Sequence, residues 1–343
     1  MRITALAGGV GGARFLRGLR DHLDASHRSL PPGPHELTVI GNTGDDLTLY
    51  GLRVCPDLDT LLYTFADAVH EDQGWGRTDE HTTVQGELAA YGAGPDWFTL
   101  GDRDLAAHIA RSQWLGQGLT LSEVTRRLAG RWSLEDRGIS LLPMSDEPVE
   151  THVVVDLGEG PTAIHFQEWW VRHRAQVPAQ RFVAVGLERA KPAPGVLEAI
   201  GQADVVVLPP SNPVVSIGII LLVPGIRAAL RDTGAPIVGV CPLVGGAPVR
   251  GHADACLAPL GVEASARGVG GLYADLLDGW LVDSGDPASA DTPAPAARYV
   301  VRRTDLLMRD RAGAARLAGE TLAVALELAQ EGRRRPADAS GHA

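Results

Sequence analysis

Two groups of residues near the N-terminus have the types and spacing needed for phosphate chemistry. The first is the glycine-rich segment Gly8-Gly9-Val10-Gly11-Gly12-Ala13-Arg14, and the second is the acidic loop Asn42-Thr43-Gly44-Asp45-Asp46. Glycines let backbone N–H groups approach an anion, and an arginine can add a bidentate contact to a phosphate. Clustered aspartates suit a hard divalent cation such as Mg²⁺, which neutralises phosphate charge.

The glycine-rich segment matches neither of the two common phosphate-binding fingerprints. Arg14 stands where the dinucleotide-binding fingerprint has its third glycine. A Walker A loop would need a lysine in this segment, and Lys191 is the only lysine in the chain. One alternative is a tight turn that serves only close packing. Our prediction is that a nucleotide phosphate is bound by Gly8, Gly9, Gly11, Gly12 and Arg14.

A third motif, Cys55-Pro56-Asp57-Leu58-Asp59-Thr60, adds two aspartates shortly after the acidic loop. The aspartates of the acidic loop could instead form a turn, and Asp57 could cap a helix. Asp57 and Asp59 cannot both cap the same helix, so at least one of them has another role.

Three later segments combine polar residues with positions suited to ligand contacts. Ser211 and Asn212 directly follow a predicted strand, where they could contact a nucleobase or a phosphate or could cap the next helix. Trp97 to Asp104 and His165 to Trp170 place tryptophans beside charged residues. Paired tryptophans are compatible with a stacking site for a planar ring and also with ordinary core packing.

The pattern of apolar runs predicts an α/β fold, Rossmann-like, with a mostly parallel sheet and helices on both faces. Helical periodicities separate the predicted strands, and in such a sheet ligands lie at the carboxyl ends of the strands. This arrangement would bring the glycine-rich segment and the acidic loop together. The predicted strands are Ile3 to Ala7, Leu37 to Ile40, Phe182 to Val185, Val205 to Leu208 and Ile237 to Val240.

We divide the chain into a Rossmann-like nucleotide-binding core of residues 1–56 and 132–332 and a helical insertion of residues 57–131. Residues 333–343, which begin with three arginines, are predicted to be a disordered tail. Smaller predictions are a strand pair at Thr151 to Asp156 and Ala163 to Phe166, a buried helix at Ile217 to Val223, a surface loop at Asp286 to Ala296 and a helix at Arg311 to Gln330.

Composition excludes several classes of partner. Lysine and arginine number 31 against 42 aspartates and glutamates, a net charge of −11 that argues against nucleic acid or an anionic membrane as the partner. Cys55, Cys241 and Cys256 form no C-x-x-C pattern, which fits small core residues in a reducing cytoplasm. No charged segment precedes the first strand, and no apolar run reaches the ~20 residues of a membrane span. We therefore expect a cytoplasmic protein.

Taken together, the motifs closely resemble those of the CofD/FbiA family, and they run in the same order from residue 2 to about residue 283. The resemblance implies a transferase of coenzyme F420 biosynthesis. Such an enzyme joins a three-carbon phospho-acid, taken from its GDP-activated form, to the deazaflavin alcohol Fo and releases GMP. It also implies a homodimer that requires Mg²⁺ or another divalent cation. The segments that carry it are Gly8 to Arg14, Gly44 to Asp46, Cys55 to Thr60, Gly101 to Asp104, Ile164 to Glu168 and Ser211 to Ile217.

The resemblance also implies roles for individual residues. Asp45 and Asp59 become the expected catalytic residues and metal ligands, with Asp46 as a third ligand. The residues expected to bind GDP or GMP are Gly8, Gly9, Gly11, Gly12, Arg14, Asn42, Ser211 and Asn212. The residues expected to bind Fo are Trp97, Asp102, Arg103, His165 and Glu168.

Two donors are consistent with this resemblance. Enolpyruvyl-diphospho-5'-guanosine would give dehydro coenzyme F420-0, and lactyl-2-diphospho-5'-guanosine would carry 2-phospho-L-lactate and give coenzyme F420-0. The arginine-rich composition and the tryptophan-rich segment His165 to Trp170 look more like the actinobacterial branch, which uses phosphoenolpyruvate. More distant alternatives are an NAD(P)-dependent oxidoreductase, weakened by the missing third glycine, and a non-catalytic nucleotide-binding protein.

Overall fold

Short apolar runs form the strands at the centre of the molecule. The computed structural model describes residues 1–25, 33–294 and 297–332. The strands are β1 Arg2–Ala7, β2 Glu36–Gly41, β3 Leu47–Leu49, β4 Leu52–Val54, β5 Ile139–Pro143, β6 Glu150–Asp156, β7 Pro161–His165, β8 Arg181–Val185, β9 Val205–Leu208, β10 Ile237–Val240, β11 Leu243–Val244, β12 Ala247–Pro248, β13 Gly279–Asp283 and β14 Val300–Thr304.

Helices occupy most of the connections between these strands. They are α1 Gly9–Ala25, α2 Pro56–Phe65, α3 Thr83–Ala90, α4 Asp102–Gly116, α5 Leu121–Gly130, α6 Val196–Gly201, α7 Ile217–Leu222, α8 Ile226–Asp232, α9 Ala253–Leu257, α10 Ala266–Gly271 and α11 Arg311–Gln330. None of these helices is long and apolar enough to cross a bilayer.

The central sheet has seven strands in the order β14-β13-β10-β9-β1-β2-β5. Every neighbouring pair is parallel. The chain proceeds outward from β1 in one direction and outward from β9 in the other. Because crossovers between parallel strands are right-handed, connections on the two sides of this switch cover opposite faces of the sheet. The predicted Rossmann-like class is confirmed, and the switch point between β1 and β9 is where such folds bind ligands.

The predicted strand Phe182 to Val185 exists, but its expected place among the parallel strands was wrong. β8 pairs antiparallel with β6, which also pairs antiparallel with β7, in a separate three-stranded sheet. Residues along β8 alternate in burial, with Val183 and Val185 exposed. An apolar run of this length does not distinguish a two-sided buried strand from a half-exposed one. The parallel sheet instead includes β5, β13 and β14.

The predicted pair of strands at Thr151 to Asp156 and Ala163 to Phe166 is confirmed as β6 and β7. The helices predicted at Ile217 to Val223 and Arg311 to Gln330 are confirmed as α7 and α11. The predicted surface loop near the end contains a short 3₁₀ turn at Ala288–Asp291. Residues 295–296 of that loop and the predicted tail, residues 333–343, lie outside the described residues.

Helices dominate residues 57–131, and the division of the chain at these boundaries remains a prediction. α2 packs against α1, and its apolar residues, including Leu58 and Leu61, belong to the main core. A smaller core forms between the β3–β4 hairpin and α4, with Leu49, Val54 and Leu105 at its centre. The hairpin and α4 therefore form a second layer beside the carboxyl ends of the central strands.

Candidate active site

A cavity of about 520 Å³ opens at the carboxyl ends of the central strands. Its floor is formed by the turn after β1, the loop after β9 and the beginning of α2. One end is bordered by Tyr63, Phe98 and Leu100 from the helical region, and the other by residues that follow β10 and β14. The cavity therefore connects the switch point of the sheet with the helical region.

The glycine-rich segment lies where β1 becomes α1. Gly9 has a φ of +66°, a conformation that L side chains rarely adopt, and α1 begins there. The Gly8 amide donates to the Ser211 hydroxyl at 3.1 Å. A Cβ on Gly12 would lie 2.3 Å from that same oxygen, so glycine is also required for close packing. The Gly9 amide donates to the Asp57 carboxylate, and the following N–H groups of the first turn of α1 have no partner within the helix. The segment therefore allows close packing and also leaves backbone donors beside the cavity.

Arginines stand beside the first turn of α1. Arg14 lines the cavity and donates to the Glu71 carbonyl at 2.9 Å, whereas Arg17 binds the Glu71 carboxylate through two hydrogen bonds of 2.5 and 3.0 Å. Arg250 also lines the cavity and donates to the Asp72 carbonyl at 3.4 Å. Among the described residues, neither Arg14 nor Arg250 has a carboxylate partner, so both retain donors for an anion.

Asp45 and Asp57 form a buried pair of carboxylates on the cavity wall. Burial raises the pKa of Asp45 well above its usual value, and the neighbouring Asp57 and then Asp46 raise it further. Burial also raises the pKa of Asp57 to about 6, although hydrogen bonds from Asn42 and the Gly9 amide oppose that shift. No ion pair to either carboxylate occurs within residues 1–25, 33–294 and 297–332. The pair therefore favours a bound cation or a proton.

Asn42 is buried behind this pair. Its amide donates to Asp57 Oδ2 at 2.9 Å and to the Val215 carbonyl at 3.1 Å, and its own oxygen accepts from Gly44 N at 2.9 Å. Asn42 thus orients Asp57 and does not itself line the cavity. Asp57 does not cap α2, because the residue at the N-cap is Cys55, which makes no capping hydrogen bond.

Asp46, predicted as a metal ligand, points away from the cavity. Its carboxylate is buried 3.7 Å from the Arg53 guanidinium. Burial raises its pKa to about 7 against the opposing effect of Arg53. Asp45 thus lines the cavity, whereas Asp46 lies against Arg53 of the hairpin.

Asp59 lies one turn into α2 and reaches the cavity beside α4. Arg111 donates a short hydrogen bond to Asp59 Oδ1, and His108 Nδ1 lies 3.6 Å from Asp59 Oδ2. His108 Nε2 lies 3.4 Å from Asp104 Oδ1, which also accepts from the Tyr63 hydroxyl at 2.6 Å. This side of the cavity contains its own positive charge.

Two arrangements of oxygen and nitrogen atoms could hold a cation. Asp59, Asp104 and His108 offer three ligand atoms within 4.8 Å of one another. Asp45 Oδ1 and Asp59 Oδ2 are buried and accept no hydrogen bond from the described part of the chain. Buried carboxylate oxygens without donors are costly, so each of these atoms could serve as a ligand of a divalent cation.

Ser211 and Asn212 reach the cavity from the loop after β9. Asn212 Oδ1 accepts from the amides of Val214 and Val215 at 2.9 and 3.1 Å, which closes a turn before α7. The N-cap of α7 is Ser216, which makes no capping hydrogen bond, so neither Ser211 nor Asn212 caps that helix. Both residues line the cavity and satisfy backbone groups at the same time.

The structure places none of the five residues expected to bind Fo on the cavity wall. Asp102 accepts from the Val84 amide at 3.0 Å at the surface, and Glu168 pairs with Arg172 at 2.8 Å. Trp97 packs on the smaller core, Arg103 is exposed, and His165 Nε2 lies 3.2 Å from the Asp46 carbonyl. Their assignment to Fo remains a prediction. The cavity is lined instead by residues of the same segments, namely Phe98, Asp104, Phe166, Gln167 and Trp170.

Sequence reasoning did not identify Tyr63, His108, Arg111 or Arg250. Asp104, His108 and Arg111 follow each other at helical spacing on α4, so the pattern of polar residues on one helical face was a usable signal. Arg250 follows a short hairpin with two glycines, and nothing in its local sequence distinguishes it from other surface arginines.

Known proteins share this sequence and this fold. A family model described as 2-phospho-L-lactate transferase CofD matches residues 3–315. Proteins named phosphoenolpyruvate transferase from Thermobifida fusca and Streptomyces coelicolor are 59% and 56% identical, each over 96% of this chain and 99% of the relative. A crystal structure of protein BH3568 from Bacillus halodurans is 18% identical, with a TM-score of 0.57 over 94% of this chain and 99% of that chain. That structure supports the fold alone, whereas the sequence matches show that the chain belongs to the CofD family of transferases.

Proposed function

We propose that the chain is a phosphoenolpyruvate transferase of coenzyme F420 biosynthesis. It transfers the phosphoenolpyruvyl group from enolpyruvyl-diphospho-5'-guanosine to Fo and yields dehydro coenzyme F420-0 and GMP. The observation that carries the proposal is the 59% identity to a relative named phosphoenolpyruvate transferase, which extends over nearly the full length of both chains. The cavity supports it, because phosphate-binding and acidic groups face the same space.

The proposed site for the guanosine diphosphate consists of the glycine-rich segment with Arg14 and Arg250, which have no carboxylate partner among the described residues. The N–H groups at the start of α1 favour an anion there, and the helix dipole adds to this preference. Arg14 and Arg250 approach from the same side, and each guanidinium keeps donors available. The apolar residues after β10 and β14, such as Val244 and Met308, border the same end of the cavity and are suited to a nucleobase.

Mg²⁺ is the proposed cofactor, held by Asp45 and Asp59. Asp45 Oδ1 and Asp59 Oδ2 are buried without a hydrogen-bond partner among the described residues, which suits ligands of such a cation. Burial and the neighbouring Asp57 raise the pKa of Asp45, so a cation would be favourable there. A bound divalent cation would supply charge neutralisation for the diphosphate. Asp46 is left out of the proposed site because its carboxylate lies near Arg53 and does not line the cavity.

Fo is proposed to bind at the end of the cavity bordered by the helical region. Phe98, Leu100 and Tyr63 provide apolar surface there. A planar deazaflavin ring favours such aromatic neighbours. This arrangement directs the ribityl chain of Fo toward the aspartates.

The reaction is a displacement at phosphorus. The primary ribityl hydroxyl of Fo forms a bond to the phosphorus that carries the enolpyruvyl group, and the bond from that phosphorus to the bridging oxygen of GMP breaks. An aspartate of the cavity orients the hydroxyl and accepts its proton, and Arg14 stabilises the charge that develops on GMP. Positioning and charge stabilisation supply most of the rate enhancement for this kind of transfer.

A second candidate donor is lactyl-2-diphospho-5'-guanosine, which is favoured by the name of the matching family, 2-phospho-L-lactate transferase. It would give coenzyme F420-0 through the same displacement. Family membership leaves the NAD(P)-dependent oxidoreductase and the non-catalytic binding protein without support. We further propose a cytoplasmic homodimer, which sedimentation of the purified protein tests directly.

The deciding experiment incubates the protein with Fo, Mg²⁺ and each GDP-activated acid in separate reactions. GMP release and the mass of the deazaflavin product are then measured. We expect faster turnover with the enolpyruvyl donor and a product with the mass of dehydro coenzyme F420-0. Faster turnover with the lactyl donor would select the second candidate, and the absence of any mass gain on Fo would overturn both.

A further inference from the structure

The orientation of Asp59 depends on a residue 52 positions away in the sequence. Asp59 is buried near the start of α2, and Arg111 from α4 donates a short hydrogen bond to its Oδ1 atom. The other oxygen, Oδ2, accepts no hydrogen bond from the described residues. One oxygen is held by the guanidinium, whereas the second lies 3.6 Å from His108 Nδ1. Asp59 lines the cavity, and its second oxygen is the one that keeps its lone pairs unused.

Arg111 is itself held in one place. Only 1% of its surface is exposed, and its Nη1 atom lies 3.4 Å from the Arg53 carbonyl and 3.0 Å from His108 Nδ1. A guanidinium is planar and permanently charged, so it supplies hydrogen bonds in a fixed direction. A buried arginine with these contacts cannot rotate without leaving donors unpaired.

The helix that carries Arg111 is also attached to α2 at a second point. Asp104 lies two turns before Arg111 on the same face of α4, and the Tyr63 hydroxyl of α2 donates to it at 2.6 Å. The Glu80 carboxylate accepts from the amides of Arg103 and Asp104, each at 2.8 Å, and so fixes the first turn of α4. The two helices therefore have a defined register at the cavity.

We propose that Arg111 is a positioning residue for the transfer reaction: it binds one oxygen of Asp59 and directs the other toward the reacting phosphate. Arg111 does not touch the substrate and acts only through Asp59. The helical region thus contributes to catalysis by orienting an aspartate of the core, in addition to bordering the cavity. The expected effect on kcat rests on the proposed function, whereas the expected orientation of the Asp59 carboxylate does not.

The kinetic test compares Arg111→Ala and Arg111→Lys with the native enzyme in the GMP-release assay. We expect Arg111→Ala to lower kcat on the order of 10²-fold with the KM for each substrate changed by less than about threefold, since a misplaced catalytic group costs about this much. Arg111→Lys keeps the charge without the planar geometry, so its kcat should lie between those of the native enzyme and Arg111→Ala. Millimolar guanidinium added to Arg111→Ala should restore kcat at least about tenfold, and urea at the same concentration should not.

Arg20→Ala is the matched control, because Arg20 is also buried and paired with carboxylates but lies outside the cavity. It should lower the melting temperature and leave kcat unchanged. A kcat of Arg111→Ala within about threefold of the native value would overturn the inference. So would a kcat loss that guanidinium fails to restore in folded protein.

A second readout does not depend on activity. Crystal structures of the native protein and of Arg111→Lys should show the Asp59 carboxylate turned away from the cavity in the variant. An unchanged Asp59 orientation would overturn the inference even if the native enzyme transfers nothing to Fo. Absence of transfer by the native enzyme would instead overturn the proposed function.

Discussion

The two pairs of carboxylates in the cavity differ in how their charge is balanced. Asp45 and Asp57 are buried together without an ion-pair partner among the described residues, and burial raises the pKa of both. Asp59 is buried and Asp104 is partly buried, but Arg111 pairs with Asp59 and His108 lies near both carboxylates. Burial alone would raise the pKa of Asp104, whereas contacts with His108 and Tyr63 lower it.

This difference indicates what each pair contributes. The unbalanced pair needs positive charge from outside the chain, as expected for a site that binds a cation with its substrate. The balanced pair is charged and oriented before any ligand arrives, so it costs little reorganisation during the reaction. A cation bound by both Asp45 and Asp59 would therefore contact one carboxylate that lacks a counter-charge and one whose orientation Arg111 fixes.

The largest expected effect comes from removing charge on the unbalanced side. Asp45→Asn should lower kcat on the order of 10³-fold, because the neutral amide cannot hold the cation opposite the phosphate. Its melting temperature should stay the same or rise, since the change removes a buried charge next to Asp57. GMP release and thermal unfolding measure the two effects. Asp232→Asn, at an exposed end of α8, is the control, and an active Asp45→Asn would contradict the comparison.

Addition of Mg²⁺ should stabilise the native protein. A ligand at one hundred times its Kd stabilises by about 2.7 kcal/mol, which corresponds to several degrees in melting temperature. Asp45→Asn should lose most of this shift, because it removes the carboxylate that has no ion-pair partner among the described residues. An equal shift in the native protein and in Asp45→Asn would show that the cation binds elsewhere, for example among Asp59, Asp104 and His108.

Asp57 and Asp104 should also give opposite dependences of stability on pH when divalent cations are removed. The pKa of Asp57 is about 6 in the folded protein and 3.8 without burial. The folded state therefore binds more protons between these values, and native stability falls as pH rises from about 4 to 6. Asp57→Asn should remove this loss, measured by urea unfolding at each pH.

Asp104 provides the contrasting case. Its pKa lies below 3.8 in the folded protein, so its contribution is present above pH 4 and is lost as pH falls through the folded value. Asp104→Asn should therefore be less stable than the native protein at neutral pH, and the difference in unfolding free energy should shrink in acid. The same pH slope for Asp57→Asn and Asp104→Asn would contradict the proposed difference.

The smallest effect is expected at the outer end of the balanced pair. Tyr63→Phe removes the hydroxyl that donates to Asp104 at 2.6 Å. The loss of one hydrogen bond to a carboxylate costs roughly 1.5–3 kcal/mol of unfolding free energy. We expect kcat to fall only about fivefold, because Arg111 still holds Asp59. Tyr91→Phe is the control, since that side chain is 85% exposed. A loss as large as that of Asp45→Asn would mean that Tyr63 acts in the reaction directly.

The parts of the site that sequence reasoning found are those made by one short stretch of chain. Gly9 and Arg14 follow β1 directly, and Asp45 follows β2, so the parallel sheet alone places them at the same edge. Asp59 was identified through the family resemblance and also lies on the cavity.

Segments predicted to bind Fo reach the cavity, but with other residues. Asp104 lines it where Asp102 and Arg103 were expected, and Trp170 lines it where Glu168 was expected. A shift of two positions rotates a helical residue by more than half a turn, so a correct segment does not give the correct face. The packing of each segment on its neighbours decides that face.

The sequence alone indicated the class of fold and the glycine-rich turn that follows β1, because apolar runs and glycines act on their immediate neighbours. The order of the strands, including the places of β5, β13 and β14, came from the tertiary structure. Only the tertiary structure showed which carboxylates have a counter-charge. Arg111 donates to Asp59, which lies 52 residues away in the sequence. Arg250 lines the same cavity as the glycine-rich turn, more than 230 residues away. Charge balance in a buried site depends on distances of a few ångströms between separate elements, and local sequence contains no record of those distances.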